Sequence, residues 1–152
     1  MGITGWMANK LRCWSFYRFG CYRGTGGRLE YVAPDWSEVQ LEVPLSWRTR
    51  NYVGTIFGGS LYGAVDPFYM LMLIKRLGPD FVVWDKAATI HFKKAGRETL
   101  RARLSMPDAE LAAIRAALET RRSVDRTYSV DLVDSSGTVC ASVEKVVYIR
   151  RR

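Results

Sequence analysis

Residues 51–74 read NYVGTIFGGSLYGAVDPFYMLMLI, and how this stretch is understood decides the fold. One charge, Asp66, stands among its 24 positions, with four glycines (Gly54, Gly58, Gly59, Gly63) and the proline Pro67. A run this long and apolar is either a membrane span or a helix enclosed by a protein core. The glycines, the proline beside the charge and the lack of a second such run in the sequence favour the enclosed helix. Gly58 and Gly59 mark its start. Gly78-Pro79 stop it, after Lys75 and Arg76 have met the negative end of its dipole.

On either side the chain reads as strands. Upstream, Leu29 and Tyr31, then Val39, Leu41, Val43 and Leu45, sit at alternate positions, which predicts extended segments over residues 28–34 and 39–47 joined by a turn at Pro34-Asp35. The GTGG at residues 24–27 is too short and badly spaced for a dinucleotide fingerprint and reads as a loop. Downstream, strands are predicted over residues 82–94, 99–106, 126–134 and 138–149, with a tight turn at Ala95-Gly96-Arg97 and a hairpin loop over residues 134–137. Between the second and third of these lies PDAELAAIRAALE, where Leu111, Ile114 and Leu118 share a helical face and Asp108 is placed as N-cap. One long helix among antiparallel strands predicts an α+β fold, a curved antiparallel sheet wrapped around a long central helix.

The whole chain has 152 residues and a net charge of +8, the size of one compact domain, with residues 1–27 as a helical or loop extension and residues 108–120 as an inserted helix. The positive charge is spread along the chain, which argues against a nucleic-acid partner and suits a phosphate-bearing small molecule such as coenzyme A equally well. The run Arg150-Arg151-Arg152 reads as a solvated tail. Three cysteines (Cys13, Cys21, Cys140) without CxxC spacing and one histidine, His91, argue against a metal site or a disulfide framework and fit a reducing, cytoplasmic setting. Lys10, Arg12 and Arg18 interrupt the apolar N-terminus, unlike a signal peptide; it reads as an amphipathic helix covering the domain, with membrane-surface contact as the alternative.

Three places carry a resemblance to a known family. The helix start has Asn51, Gly54, Phe57-Gly58-Gly59 and then Asp66; TIHFKKAGRETLRARL (residues 89–104) and TYSVDLVDSSGTVCASVEKVVYI (residues 127–149) follow. The set resembles the hotdog-fold thioesterases of the phenylacetic-acid-degradation type, and within them an uncharacterised, DUF4442-like branch. Those relatives carry Asn, Gly, His-Gly-Gly and a later acidic residue at the helix start. The resemblance therefore implies a hotdog fold and hydrolysis of an acyl thioester such as acyl-CoA. It also implies sites at a homodimer interface, often within a homotetramer, and no cofactor beyond the coenzyme A of the substrate. Phe57 departs from the pattern at the histidine position, where a phenyl ring has no donor or acceptor. Ala95 departs where the relatives turn on proline.

Thioester hydrolysis needs a base or nucleophile and donors for the negative oxygen that develops. The resemblance gives Asp66 the first role and the Gly58 N–H the second, with Asn51 as a secondary catalytic candidate. Read from residues alone, the glycines are equally turn punctuation, and Asp66 with Pro67 is equally a helix restart or kink. Gly59, Phe57, Tyr62 and Tyr69 are candidates for the substrate pocket, as are Met70 and Met72, although such spacing also makes plain core. Lys93, Lys94 and Arg97 are candidates for the coenzyme A phosphates, against a reading as solvated surface. His91 reads as a strand residue rather than a base. Gly58 and Asp66 lie eight residues apart, about 12 Å along a continuous helix. Both can serve one carbonyl only if Gly58 of one subunit faces Asp66 of another across a two-fold axis. A hotdog dimer that binds acyl chains without hydrolysing them remains the alternative.

Overall fold

The computed structural model describes residues 3–152, so Met1 and Gly2 of the N-terminal extension lie outside the described residues. Two helices, α1 (Ile3–Phe16) and α2 (Gly20–Thr25), lead into the strands β1 (Arg28–Val32) and β2 (Glu38–Val43). The central helix follows as α3 (Gly58–Val65) and α4 (Phe68–Leu77). Then come β3 (Phe81–Phe92), β4 (Leu100–Ser105), α5 (Asp108–Thr120), β5 (Ser123–Val133) and β6 (Val139–Arg151).

The strands form one antiparallel sheet in the order β1-β2-β4-β5-β6-β3. β6 is paired along almost its full length with β5 on one side and β3 on the other. β4 and β5 meet only at Arg101↔Val133 and Ala102↔Leu132, and α5 occupies the connection between them. Glu110 fastens α5 to β5: Arg126 donates to both its oxygens at 2.8 and 2.5 Å, and the Tyr128 hydroxyl adds a third bond at 2.8 Å. The guanidinium holds the Glu110 carboxyl below the usual range.

The central helix buries Leu61, Ala64, Val65, Phe68, Met72 and Leu73 at three- and four-residue spacing, one continuous stripe against the sheet. The sheet answers with alternating residues such as Val39, Leu41 and Val43 on β2 and Val143, Val147 and Ile149 on β6. Among the described residues no helix is long and apolar enough to cross a membrane.

Several sequence expectations need correction. The tight turn at Ala95-Gly96-Arg97 is not a hairpin, because β3 and β4 are separated by β5 and β6; residues 93–99 carry the chain across the sheet. The crossing is tied down by the Lys93 and Lys94 N–H groups on the Cys140 carbonyl and by the Ile56 N–H on the Gly96 carbonyl. A Cβ at Gly96 would stand 3.0 Å from the Leu100 side chain and 3.3 Å from that of Ile56, so any larger residue would crowd both. The second predicted strand stops at Val43, because Pro44 has no N–H for the ladder, and Trp47 is left exposed. Asp108 is the first residue of α5, with Pro107 as cap, and pairs with Arg76 on α4. Arg150 and Arg151 belong to the end of β6 rather than to a tail, and the Arg152 N–H bonds the Asp80 carbonyl.

Candidate active site

The central helix is interrupted where Asp66 and Pro67, both with helical backbone angles, separate α3 from α4. Pro67 brings no N–H to the Gly63 carbonyl one turn earlier, so the helical ladder is interrupted there. Beside this interruption, α1 and α2 leave an apolar chamber of about 530 Å³. Phe16, Phe19, Tyr22, Trp36 and Leu71 line it, with Gly63, Asp66 and Pro67 on the helix side. Gly63 lets α2 approach closely, since a Cβ would lie 2.8 Å from the Thr25 methyl.

Asp66 is positioned by two neighbours. The Tyr62 hydroxyl, one turn back, donates to Oδ1 at 2.5 Å, and the Lys145 ammonium donates to the same oxygen at 2.5 Å. Oδ2 has no hydrogen-bond partner among the described residues. Lys145 is 1% exposed and holds both acids: its Nζ donates to Asp66 Oδ1 and to the Asp66 carbonyl at 3.0 Å, and forms an ion pair with Asp85 Oδ2 at 2.9 Å. Burial alone would lower the Lys145 pKa; its bonds to Asp66 and Asp85 outweigh that and raise it. Burial pushes the Asp85 carboxyl up, against the opposing pull of Lys145. Asp85 sits beside a bulge in β3, where the register to β6 shifts between Asp85 and Ala87. Its Oδ1 is buried without a partner among the described residues. Neither Lys145 nor Asp85 was singled out from the sequence.

Gly58 lies in a separate recess of about 450 Å³ with Asn51, Leu61, Phe92, Lys93 and Lys94. The Gly58 and Gly59 N–H groups open α3 and meet no acceptor among the described residues, which leaves two donors at the positive end of the dipole. A Cβ on Gly58 would stand 2.7 Å from the Phe92 ring, and one on Gly59 would stand 2.4 Å from that of Phe57. Phe57 is the N-cap, with its ring exposed and no side-chain bond to the helix. Asn51 spends its amide on its own loop: Oδ1 accepts the Val53 and Thr55 N–H groups at 3.1 and 3.0 Å, and Nδ2 donates to Thr55 Oγ1 at 2.9 Å. Lys94 Nζ is held by Asp134 at 2.9 Å, and Arg97 is exposed outside the recess.

The structure thus brings Tyr62 to Asp66, and Asn51, Lys93 and Lys94 to Gly58, but Asp66 and Gly58 line different cavities of one chain and Tyr62 lines neither. Tyr69 lines neither: it is buried, stacked on Tyr128 at 4.8 Å, and donates to the Ser129 carbonyl at 2.7 Å. Met72 is core, and His91 is exposed on β3.

Residues 16–149 match the profile of a domain of unknown function, DUF4442. The chain belongs to the DUF4442 family. No curated protein matches this DUF4442 chain in sequence. Among solved structures, it is similar to a Pseudomonas aeruginosa protein of unknown function whose name includes "Probable Thioesterase", at 17% identity and a TM-score of 0.81, over 94% of this chain and 95% of that one. A Chlorobaculum tepidum protein of unknown function matches at 15% identity and a TM-score of 0.73, covering 95% of each chain. A Haemophilus influenzae thioesterase matches at 11% identity and a TM-score of 0.65, over 90% of this chain and 87% of that one. Likeness at these identities speaks for the shared architecture: this DUF4442 chain has the hotdog fold.

Proposed function

We propose that this protein is an acyl thioesterase, with coenzyme A thioesters as the substrate class, working at the interface of two copies of the chain. The observation that carries the reading is Asp66. Its carboxylate stands at the interruption between α3 and α4 on the wall of an apolar chamber, with Oδ1 fixed by Tyr62 and Lys145 and Oδ2 unpartnered among the described residues. The chamber suits an acyl chain. Oδ2 then takes a proton from water attacking the thioester carbonyl, and collapse of the tetrahedral oxyanion breaks the C–S bond, the proton passing to the departing thiolate; or Oδ2 attacks the carbonyl itself and expels the thiolate, and water hydrolyses the resulting acyl anhydride. The Gly58 N–H of a second copy receives the oxyanion, since Gly58 and Asp66 of one chain open into different cavities. Lys93 and Lys94, beside Gly58, meet the phosphates of coenzyme A, and no other cofactor enters the reaction.

The test is thiol release across short, long and aromatic acyl-CoAs. Asp66→Asn keeps acceptors for Tyr62 and Lys145, so it should fold while losing turnover by about 10² to 10⁴-fold. Full turnover in that variant removes Asp66 from the mechanism. One observation favours a second reading, a hotdog dimer that binds acyl chains without cleaving them: Phe57 offers no polar group at the helix start, where the relatives place histidine. Saturable acyl-CoA binding without thiol release would select it.

A further inference from the structure

The first 29 residues contain five cations, Lys10, Arg12, Arg18, Arg23 and Arg28, and no Asp or Glu. Helical spacing divides α1 into two arcs. Asn9 and Cys13 are buried against β1, and Phe16 is half-buried on the same side. Trp6 and Lys10 flank that buried arc, and Trp14, Met7 and Leu11 continue round the outer side, with Trp6 50%, Leu11 65% and Trp14 61% exposed. Phe19 just beyond the helix is exposed too. A soluble helix ordinarily turns its apolar stripe inward; α1 presents aromatic and aliphatic side chains to the outside as well.

We propose that this face of α1 docks on the surface of an anionic phospholipid bilayer. Charge and residue type both point there. Lys10, Arg18 and Arg23 are exposed and make no ion pair among the described residues, and Lys10 lies 3.9 Å over the Trp6 ring. Glu30, which shares the groove between α1 and β1 with Lys10, is 3.9 Å from Arg101. Tryptophan prefers the headgroup boundary, where its ring is half apolar and its N–H is wet, and clustered cations beside such a stripe favour anionic lipids. A second copy of the chain is the poorer occupant, since two unrelieved basic faces repel each other. Trp6, Leu11 and Trp14 also line an apolar groove of about 630 Å³ between α1 and β1, which gives the inserted face depth. Phe19 lines the mouth of the Asp66 chamber, so docking would bring that opening close to the bilayer. The docking proposal does not depend on the hydrolase reading.

The experiment is co-sedimentation of the full chain with extruded vesicles of phosphatidylcholine alone, or of phosphatidylcholine and phosphatidylglycerol in equal parts. Binding to the anionic vesicles, a blue shift of tryptophan emission and release by salt are expected, with little binding to the zwitterionic ones. Trp6→Ser, Leu11→Ser and Trp14→Ser combined should leave the circular dichroism unchanged and reduce partitioning by at least about tenfold. Lys10→Gln, Arg18→Gln and Arg23→Gln, which alter only exposed side chains, should each cost about fivefold. No binding by the native chain, equal binding to zwitterionic vesicles, or undiminished binding by both sets of variants overturns the proposal. So does a drop in solution mass on the triple serine substitution, which would show that another copy covers this face.

Discussion

The two edges of the sheet are built differently. Along β1 the helix α1 lies against the strand and satisfies its outward backbone groups with side chains. Asn9 Nδ2 donates to the Glu30 carbonyl and Asn9 Oδ1 accepts the Val32 N–H, both at 3.0 Å; Arg12 Nε donates to the Val32 carbonyl at 3.1 Å, and the Tyr17 hydroxyl accepts the Leu29 N–H at 3.1 Å. The 12-residue β3 at the opposite edge has no strand on its outer side among the described residues, and Trp84 and Phe92 are 64% and 61% exposed. A short edge answered by side chains is finished, whereas a long apolar edge left open is a template for pairing. The interiors behind them differ as well: behind β1 are Leu29 and Val32, behind β3 the buried Lys145 between the half-buried Asp66 and Asp85. The difference teaches that closure was built at β1, and that both charge and an unpaired ladder were kept at β3.

Removing the charge behind the open edge should have the largest effect. Lys145→Met leaves Asp66 and Asp85 facing each other without their cation, a loss of about 3 to 5 kcal/mol. The sign with pH follows from the raised Lys145 pKa. Stability from the ammonium is fully present below the ordinary lysine value of 10.5 and is lost as pH rises through the higher folded value. Urea denaturation near neutrality and above pH 10.5 should therefore show a large gap between native and variant that narrows on the alkaline side. A gap that stays constant with pH would mean that the ammonium is not the stabilising feature.

The next effect tests the open edge itself. If two copies pair through β3 about a two-fold axis, a new charge meets its own image. Trp84→Glu with Ala88→Glu, both exposed positions, should halve the solution mass measured by light scattering. Turnover should fall on the order of 100-fold, because each Asp66 is deprived of the other copy's Gly58. A variant that stays dimeric and active would move the interface elsewhere.

The central helix and six strands were legible because the periodicities are clean, and the start at Gly58 and stop at Gly78 hold in the structure. Strand order was not legible: nothing local in KKAGRE tells a hairpin from a crossing, since the choice depends on where β5 and β6 later insert. At the site, Asp66 stood out as the one charge in an apolar run. Its partners escaped notice although a signal was present. In β6 the inward parity runs Ala141, Val143, Lys145, Val147, Ile149, and in β3 it runs Phe81, Val83, Asp85. A lysine and an aspartate at inward positions of two strands announce a buried pair, provided the strands are known to be neighbours. Tyr69 was misplaced because spacing alone does not say which face of an enclosed helix meets a cavity and which meets the sheet.

The smallest effect is expected at the closed edge. Asn9 is 7% exposed and serves both a donor and an acceptor of β1, while the Cys13 thiol donates to it at 3.7 Å. Asn9→Ala leaves the Glu30 carbonyl and the Val32 N–H without these partners, a loss of about 1 to 3 kcal/mol. For a chain of this size each kcal/mol lowers the melting temperature by about 2 to 4 °C, which calorimetry resolves. The solution mass should not change, because Arg12 and Tyr17 still hold α1 along the strand and a five-residue edge with a register shift at Leu29/Tyr31 offers little ladder to a second copy. If Asn9→Ala instead drives new association, the closed edge is kept monomeric by a single side chain, and the contrast with β3 is one of degree rather than of design.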